Sequence, residues 1–231
     1  MNFKTLVPVK KPGPGGRVFN VKSKGQAIKG LGEAEREGSD KYRRILESAI
    51  RVFAQKGFHN TKVSEIADEA QVADGTIYLY FKNKDEILIK VFEESLSQII
   101  RRCQEELEKI PDPIERIKRF IWFHLELLEE NQALAEVLQV ELRQSNKFMK
   151  EYLPSQWLAY LEIIANLIRE GQKAGMIREE ISPGIFKRAL FGALDEISLH
   201  WVLTKKEKSY IRNSAEQLCQ IFLYGVIKKQ D

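Results

Sequence analysis

The segment from Gly75 to Lys84, GTIYLYFKNK, places three hydroxyl groups and two ammonium groups on a stretch too short to form a stable helix alone. Thr76, Tyr78 and Tyr80 are predicted to lie on the outer side of this stretch. Hydroxyl groups held on a short helix can reach the edges of bases in the major groove of DNA, provided that other helices fix its angle. Taken alone, these side chains are either ordinary surface residues of an amphipathic helix or contacts to nucleic acid.

A second short helix is predicted immediately before this segment, with Val63, Ile66, Ala67 and Ala70 on one face. A tight connection around Gln71 and Val72 leads into the helix predicted over residues 74–80. The two short helices are held together by inward-pointing residues, which we predict to be Ile66, Val72, Ile77 and Phe81.

Residues 61–84, TKVSEIADEAQVADGTIYLYFKNK, closely resemble the helix-turn-helix of the TetR family, whose strongest local signature matches residues 75–84. The resemblance implies that a double-stranded DNA operator is the partner. It implies that Thr76 and Tyr78 approach bases or sugars and that Tyr80 and Lys84 contact phosphates. The predicted DNA-binding residues are Ser64, Asp74, Gly75, Thr76, Tyr78, Tyr80 and Lys84.

The turn between the two short helices departs from the family pattern at two residues. Gln71 stands where the family usually has a glycine in a left-handed conformation, at a cost of about 1 kcal/mol. Ala73 is a poor N-cap, so we expect Asp74 to cap the helix instead. An Asp at this place can also accept a hydrogen bond from cytosine.

The basic residues concentrate towards the N-terminus, although the net charge of the chain is only +4. Residues 1–30 contain seven Lys or Arg and no acid, and residues 41–84 contain eight basic and five acidic residues. Residues 1–39 also carry prolines and glycines without a sustained period, and we predict a flexible basic tail there. The tail is either a contact to DNA phosphates or an inert extension.

The fold class predicted from the periodicity is all-α, with about nine helices. A three-helix head over residues 40–84 is followed by a long helix from Asn83 to about Lys109, and residues 85–231 form a helical bundle. The bundle helices are predicted over 113–129, 132–146, 154–173, 183–203 and 206–228.

The C-terminal domain resembles one particular group within the TetR family. Residues 74–89, 139–146 and 191–203 are similar to FadR-type repressors, which control fatty-acid degradation genes. The similarity implies a repressor that long-chain acyl-CoA releases from DNA, with acyl-CoA as an effector and no cofactor. Large apolar side chains of these helices either line an acyl tunnel or fill the core, and periodicity does not distinguish the two.

Polar residues inside apolar stretches are candidates for the polar part of the ligand, because an unpaired buried charge is costly. Arg143 either braces the helices through an acidic partner or meets the ligand together with Asn146. The predicted ligand-binding residues are Phe123, Leu138, Leu142, Arg143, Asn146, Phe191 and Trp201.

Residues 183–203 and 206–228 form the last two helices, which are long and apolar. In the family this pair packs against its copy, and a two-fold DNA operator requires two heads. We therefore expect a homodimer through these residues.

The sequence also bears on other functions. A repressor that senses drugs or other hydrophobic compounds and regulates efflux stays open, since Glu136, Glu141, Asp195 and Glu196 could face a cationic ligand. No catalytic constellation or metal-binding cluster is recognisable, so we expect no enzyme and no metal site. A plain acyl-CoA carrier would leave residues 61–84 unexplained. Two cysteines, no export signal and no long apolar run predict a cytoplasmic protein without membrane segments.

Overall fold

The computed structural model describes residues 24–141, 154–204 and 207–225, and within these ranges the chain folds into nine α-helices. The helices are α1 (Lys24–Lys56), α2 (Val63–Glu69), α3 (Asp74–Tyr80), α4 (Lys84–Leu107), α5 (Pro113–Glu130), α6 (Gln132–Glu136), α7 (Pro154–Lys173), α8 (Pro183–Thr204) and α9 (Lys208–Tyr224). The all-α prediction is confirmed. Among the described helices, none is both long and apolar enough to cross a membrane.

Helix α1 begins at Lys24, much earlier than the sequence predicted. The prediction of a non-helical tail is therefore wrong for residues 24–39. The physical reason is that the last proline before α1 is Pro14, and the stretch that follows is rich in Ala, Glu, Lys and Arg, which favour helices over the intervening glycines. The described residues divide into two compact units between Asp40 and Lys41.

The head is built from α1, α2 and α3 around a small apolar core. The buried side chains are Ile45, Ala49, Phe53, Ile66, Ala67, Ala70, Ile77 and Phe81. Gly57 ends α1 with φ at +80°, the left-handed conformation that glycine adopts without a steric penalty. Gln71 has φ at 53°, so the left-handed turn that the family pattern implied is present without glycine.

Helix α4 connects the head to the bundle. Asn83 caps its start, because the Asn83 side chain accepts a hydrogen bond from the Glu86 N–H at 2.9 Å. Buried residues from Ile87 to Leu107 follow at helical spacing, so one face of α4 lies in the core along its length. Asp112 caps α5 in the same way, with Pro113 at the first helical position.

Residues 132–146 were predicted as one regular helix, but α6 ends at Glu136 and Val137–Glu141 continues as a π-helix. The wider turn changes which side chains face inward, and Val137, Gln139 and Glu141 are all buried. A π-helical turn inside an α-helix is rare and is frequent at functional sites. Residues 142–146 lie outside the described residues.

Candidate DNA-reading surface and effector-binding interior

Helix α3 buries one residue fully and exposes most of the others. Ile77 is fully buried, whereas Tyr78 is 59% and Leu79 is 81% exposed. Asp74 and Gly75 are exposed as well. A Cβ atom added at Gly75 would meet no atom within 4 Å, so packing inside the chain does not require glycine there. The surface of α3 is therefore open to another molecule.

Three other predicted DNA-binding residues are half-buried at the edge of this surface. Thr76 lies on α3, and Ser64 is the second residue of α2. The Tyr80 ring packs near Tyr42 of α1, with 6.0 Å between ring centroids. The structure thus brings Ser64 and residues 74–80 together on two neighbouring helices, with Tyr80 less exposed than the sequence pattern suggested.

The N-cap of α3 is Ala73, whose side chain makes no capping bond. The expectation that Asp74 caps the helix is therefore wrong. The reason is that Asp74 is already the first residue with helical geometry, so its side chain is one position too late to serve as the cap.

Lys84 does not point towards the outer surface of α3. Its ammonium donates hydrogen bonds to the carbonyl oxygens of Phe58 at 2.5 Å, His59 at 3.1 Å and Thr61 at 2.8 Å. It also lies 4.7 Å from the centroid of the Phe58 ring. Burial lowers the pKa of the Lys84 side chain. The prediction that Lys84 contacts a DNA phosphate is not supported, because three carbonyls already use its donors.

The turn that Lys84 binds also receives a contact from the bundle. Glu141 is only 5% exposed, and its carboxylate accepts a hydrogen bond from the Phe58 N–H at 2.5 Å. This contact was not predicted from the sequence. Its only signal was a charged residue within the apolar stretch LQVEL.

The interior of the bundle contains a buried polar group of three side chains. His124 Nδ1 lies 3.0 Å from the Tyr160 hydroxyl, and His124 Nε2 lies 3.4 Å from the Ser198 hydroxyl. Ser198 donates to the Leu194 carbonyl at 2.7 Å. Because the Ser198 proton is used in that bond, Nε2 of His124 carries the ring proton and Nδ1 accepts from Tyr160.

Burial lowers the pKa of His124 to about 4, and the charge of Asp195 acts in the opposite direction. The imidazole is therefore neutral near pH 7. Burial also raises the pKa of the Tyr160 hydroxyl, which stays protonated and available as the donor to His124. The group is thus uncharged and fully hydrogen-bonded within an apolar core.

Three aromatic side chains lie beside this polar group. Phe191 stands edge-on to His124 at 5.9 Å and to Trp157 at 4.8 Å between centroids. Phe92 adds a further contact to Trp157 at 6.4 Å. A row of aromatic rings from α4, α7 and α8 therefore lies next to the polar group.

The predicted ligand-binding residues do not all fall on this row. Phe191 belongs to it, whereas Phe123 lies under the guanidinium groups of Arg102 and Arg119, at 5.5 and 5.9 Å. Trp201 is buried, and its indole N–H has no hydrogen-bond partner within the described parts of the chain. Leu138 is half-buried in the π-helix. Leu142, Arg143 and Asn146 lie outside the described residues.

Two family models match the chain over almost the whole of this architecture. Residues 45–91 match "Bacterial regulatory proteins, tetR family", and residues 92–225 match "YsiA-like protein, C-terminal region". The chain is 36% identical over 189 residues to the "Fatty acid metabolism regulator protein" of Bacillus subtilis (strain 168). These residues cover 82% of this chain and 97% of the relative. The chain belongs to the TetR family. It is a transcriptional regulator and not an enzyme.

Solved structures of TetR-family regulators resemble both domains. The FadR regulator of Bacillus subtilis in complex with stearoyl-CoA matches with a TM-score of 0.75 and 35% identity, over 80% of this chain and 98% of that one. The fatty acid degradation regulator FadR of Bacillus halodurans matches with a TM-score of 0.76 and 33% identity, over 80% and 95%. The similarity to fatty-acid regulators thus extends through the bundle and is not confined to the DNA-binding head of the TetR family.

The residues that sequence analysis missed are polar and buried. His124 stands in the apolar stretch FIWFHLELL, and only its place beside aromatic residues hinted at a role. Ser198 and Tyr160 gave no signal, because their contacts join α5, α7 and α8. Burial raises the pKa of Cys103 to about 12 and that of Cys219 to about 11, so both thiols stay protonated near pH 7.

Proposed function

We propose that the chain is a homodimeric repressor of fatty-acid degradation genes that leaves its operator when long-chain acyl-CoA binds to the C-terminal domain. One observation carries this proposal: the similarity to a FadR regulator in complex with stearoyl-CoA covers 98% of that protein, ligand domain included. TetR-family heads are combined with many different ligand domains. A likeness that includes the ligand domain is therefore informative about the effector.

For DNA, we propose that α3 enters the major groove and that Thr76 and Tyr78 contact bases or sugars. Exposed Tyr78 and the uncovered α-carbon of Gly75 support this assignment, because both are free to approach a duplex. Asp74 is placed to accept from cytosine, and Tyr80 and Ser64 stand at the edge of the surface to reach the backbone. The proposed set omits Lys84, whose donors are used inside the protein.

For the dimer, we propose that α8 and α9 pack against their copies. Ile185 is 72% exposed at the start of α8, and Ala189 and Gly192 follow at helical spacing on the same exposed face. On α9, Ile221 and Tyr224 are 66% and 81% exposed. Exposed apolar side chains on two adjacent helices are typical of an interface, and two heads fit a two-fold operator.

For the effector, we propose that the acyl chain lies among the aromatic side chains of the bundle. Phe191 packs on Trp157, and the buried indole N–H of Trp201 is a donor that a polar group of the ligand could use. Phe123, Leu138, Leu142, Arg143 and Asn146 stay in the predicted set.

A sensor of cationic drugs is the less favoured alternative. It would need buried carboxylates that face the ligand, but the buried carboxylate of Glu141 is directed at the Phe58 N–H. Glu196 is exposed. Neither Glu141 nor Glu196 therefore supports a cation-binding cavity.

The proposal is tested with a DNA duplex that the purified protein selects from a random pool. Stearoyl-CoA should dissociate the complex in a fluorescence anisotropy titration, and free CoA should not. Ethidium binds DNA itself and would disturb the anisotropy signal of the DNA probe. Rhodamine 6G is therefore the cationic dye, and the DNA carries a label whose emission differs from that of rhodamine 6G. Release by the dye without release by stearoyl-CoA would replace the proposal with the drug-sensor alternative.

A further inference from the structure

The carboxylate of Glu141 is packed directly against the turn that ends α1. It accepts the Phe58 N–H at 2.5 Å, and its oxygens lie 3.7 and 3.8 Å from the place that a Cβ on Gly57 would occupy. A buried charge without a partner is costly, so this hydrogen bond is a strong constraint on the geometry. It joins the end of the π-helix in the bundle to the head.

The opposite side of the same turn is held by a positive charge. Lys84 donates to the Phe58 carbonyl, so the N–H and C=O of one residue are bound by a carboxylate and an ammonium respectively. Lys84 is the first residue of α4 and follows the recognition helix after a short connection. The position of this turn is therefore linked to the end of α3.

On the bundle side, the π-helix that carries Glu141 packs against α8, and α6 packs against α5 and α8. These are the helices that carry Phe123, Phe191 and Trp201. A ligand that shifts α5 or α8 must also shift the π-helix or separate it from its neighbours. Packed interiors respond to such shifts by changing between discrete arrangements rather than by deforming gradually.

We propose that Glu141 is the positioning residue through which the ligand domain controls the DNA-reading head. When the π-helix moves, the Glu141 carboxylate either carries the Phe58 turn with it or loses its hydrogen bond. In both cases the turn, Lys84 and the start of α4 change position relative to α3. The identity of the effector in this inference rests on the proposed function.

The experiment compares wild-type protein with Glu141→Gln, which keeps the shape and an acceptor oxygen but removes the charge. Glu129→Gln is the matched control, because Glu129 is a half-buried carboxylate on α5. For each protein, operator affinity is measured with and without saturating stearoyl-CoA, and stearoyl-CoA affinity is measured calorimetrically without DNA. Hydrogen exchange at the Phe58 amide reports the bond itself.

We expect the ratio of operator affinities without and with stearoyl-CoA to fall about tenfold in Glu141→Gln, because a charge-assisted bond becomes a neutral one in each protomer. The affinity for stearoyl-CoA itself should stay as in wild type, and the Phe58 amide should exchange faster. Glu129→Gln should match wild type in all three measurements.

A wild-type ratio in Glu141→Gln would overturn the inference, even if operator affinity fell equally with and without effector, since that result describes a purely structural residue. If wild-type protein does not respond to stearoyl-CoA, the proposed function fails separately. The Glu141 inference is then decided by the same ratio of operator affinities measured without and with rhodamine 6G. A ratio that falls in Glu141→Gln supports the inference, and a ratio equal to that of wild type overturns it.

Discussion

The head and the bundle use their polar residues in opposite ways. On α3 Tyr78 is 59% exposed, whereas in the bundle His124, Tyr160 and Ser198 are buried and hydrogen-bonded to one another. The head presents donors and acceptors to a polar polyanion in water. In the bundle the buried group is uncharged, which suits the apolar ligand that we propose. Substitutions of exposed polar residues on α3 should therefore affect binding, and substitutions within the buried polar group should affect stability.

The largest effect is expected from Tyr78→Ala. Loss of a groove contact in each of two heads should weaken operator binding about a hundredfold, since one base contact contributes about 1–3 kcal/mol. The melting temperature should hardly change, because Tyr78 is 59% exposed. Gel shift and calorimetry provide the two measurements, and Tyr78→Phe separates the hydroxyl from the ring. Full operator affinity in Tyr78→Ala would show that α3 does not read DNA as proposed.

Lys84→Met is an exception to this difference between the two regions, because Lys84 belongs to the head but makes its hydrogen bonds inside the protein. Loss of its bonds to three carbonyls should lower the free energy of unfolding by roughly 1.5–3 kcal/mol. The dependence of operator affinity on salt should keep its slope. Lys82→Met is the control, since exposed Lys82 is available to phosphates. If Lys84→Met instead reduced the slope of operator affinity against salt by about one unit and left stability unchanged, Lys84 would be assigned to a DNA phosphate after all.

His124 should make the bundle sensitive to acid. Its pKa is about 4 in the folded chain and near 6.5 when unfolded, so the unfolded state binds the proton more tightly. The stability that neutral His124 provides is complete above pH 6.5 and is lost as the pH falls from 6.5 towards 4. The loss at pH 5 is about 2 kcal/mol. Urea unfolding at pH 7 and pH 5 measures it, and His124→Phe should show a smaller difference. An equal difference in both proteins would assign the acid sensitivity to other groups.

The smallest effect is expected at Gln71, where φ is 53°. Gln71→Gly should raise the free energy of unfolding by up to about 1 kcal/mol, because the left-handed strain exceeds the entropy that glycine loses on folding. Gln98→Gly, at an exposed position within α4, should lower it by about 1 kcal/mol. Thermal unfolding of the pair checks both signs. Destabilisation by both substitutions would mean that the Gln71 side chain has a compensating role.

Features set by neighbouring residues could be predicted from the sequence, whereas contacts between distant residues could not. The bounds of α3, the glycine at the end of α1 and the start of α4 follow from local rules of capping, spacing and backbone conformation. The roles of Lys84 and Glu141 depend on contacts with Phe58 that are distant in sequence, and no local pattern encodes them. The π-helix was missed for the same reason, because packing of the bundle decides it.

The account is tested most directly by a series of acyl-CoA chain lengths. Each buried methylene contributes about 0.8 kcal/mol, so four more methylenes should strengthen binding by about 3 kcal/mol while the chain still fits. Operator release should follow the same order, since a ligand shifts the equilibrium only through its different affinity for the two states. The account predicts that stearoyl-CoA releases the operator at far lower concentration than short acyl-CoA or free CoA. Equal concentrations for release across the series, or no release by any acyl-CoA, would contradict it.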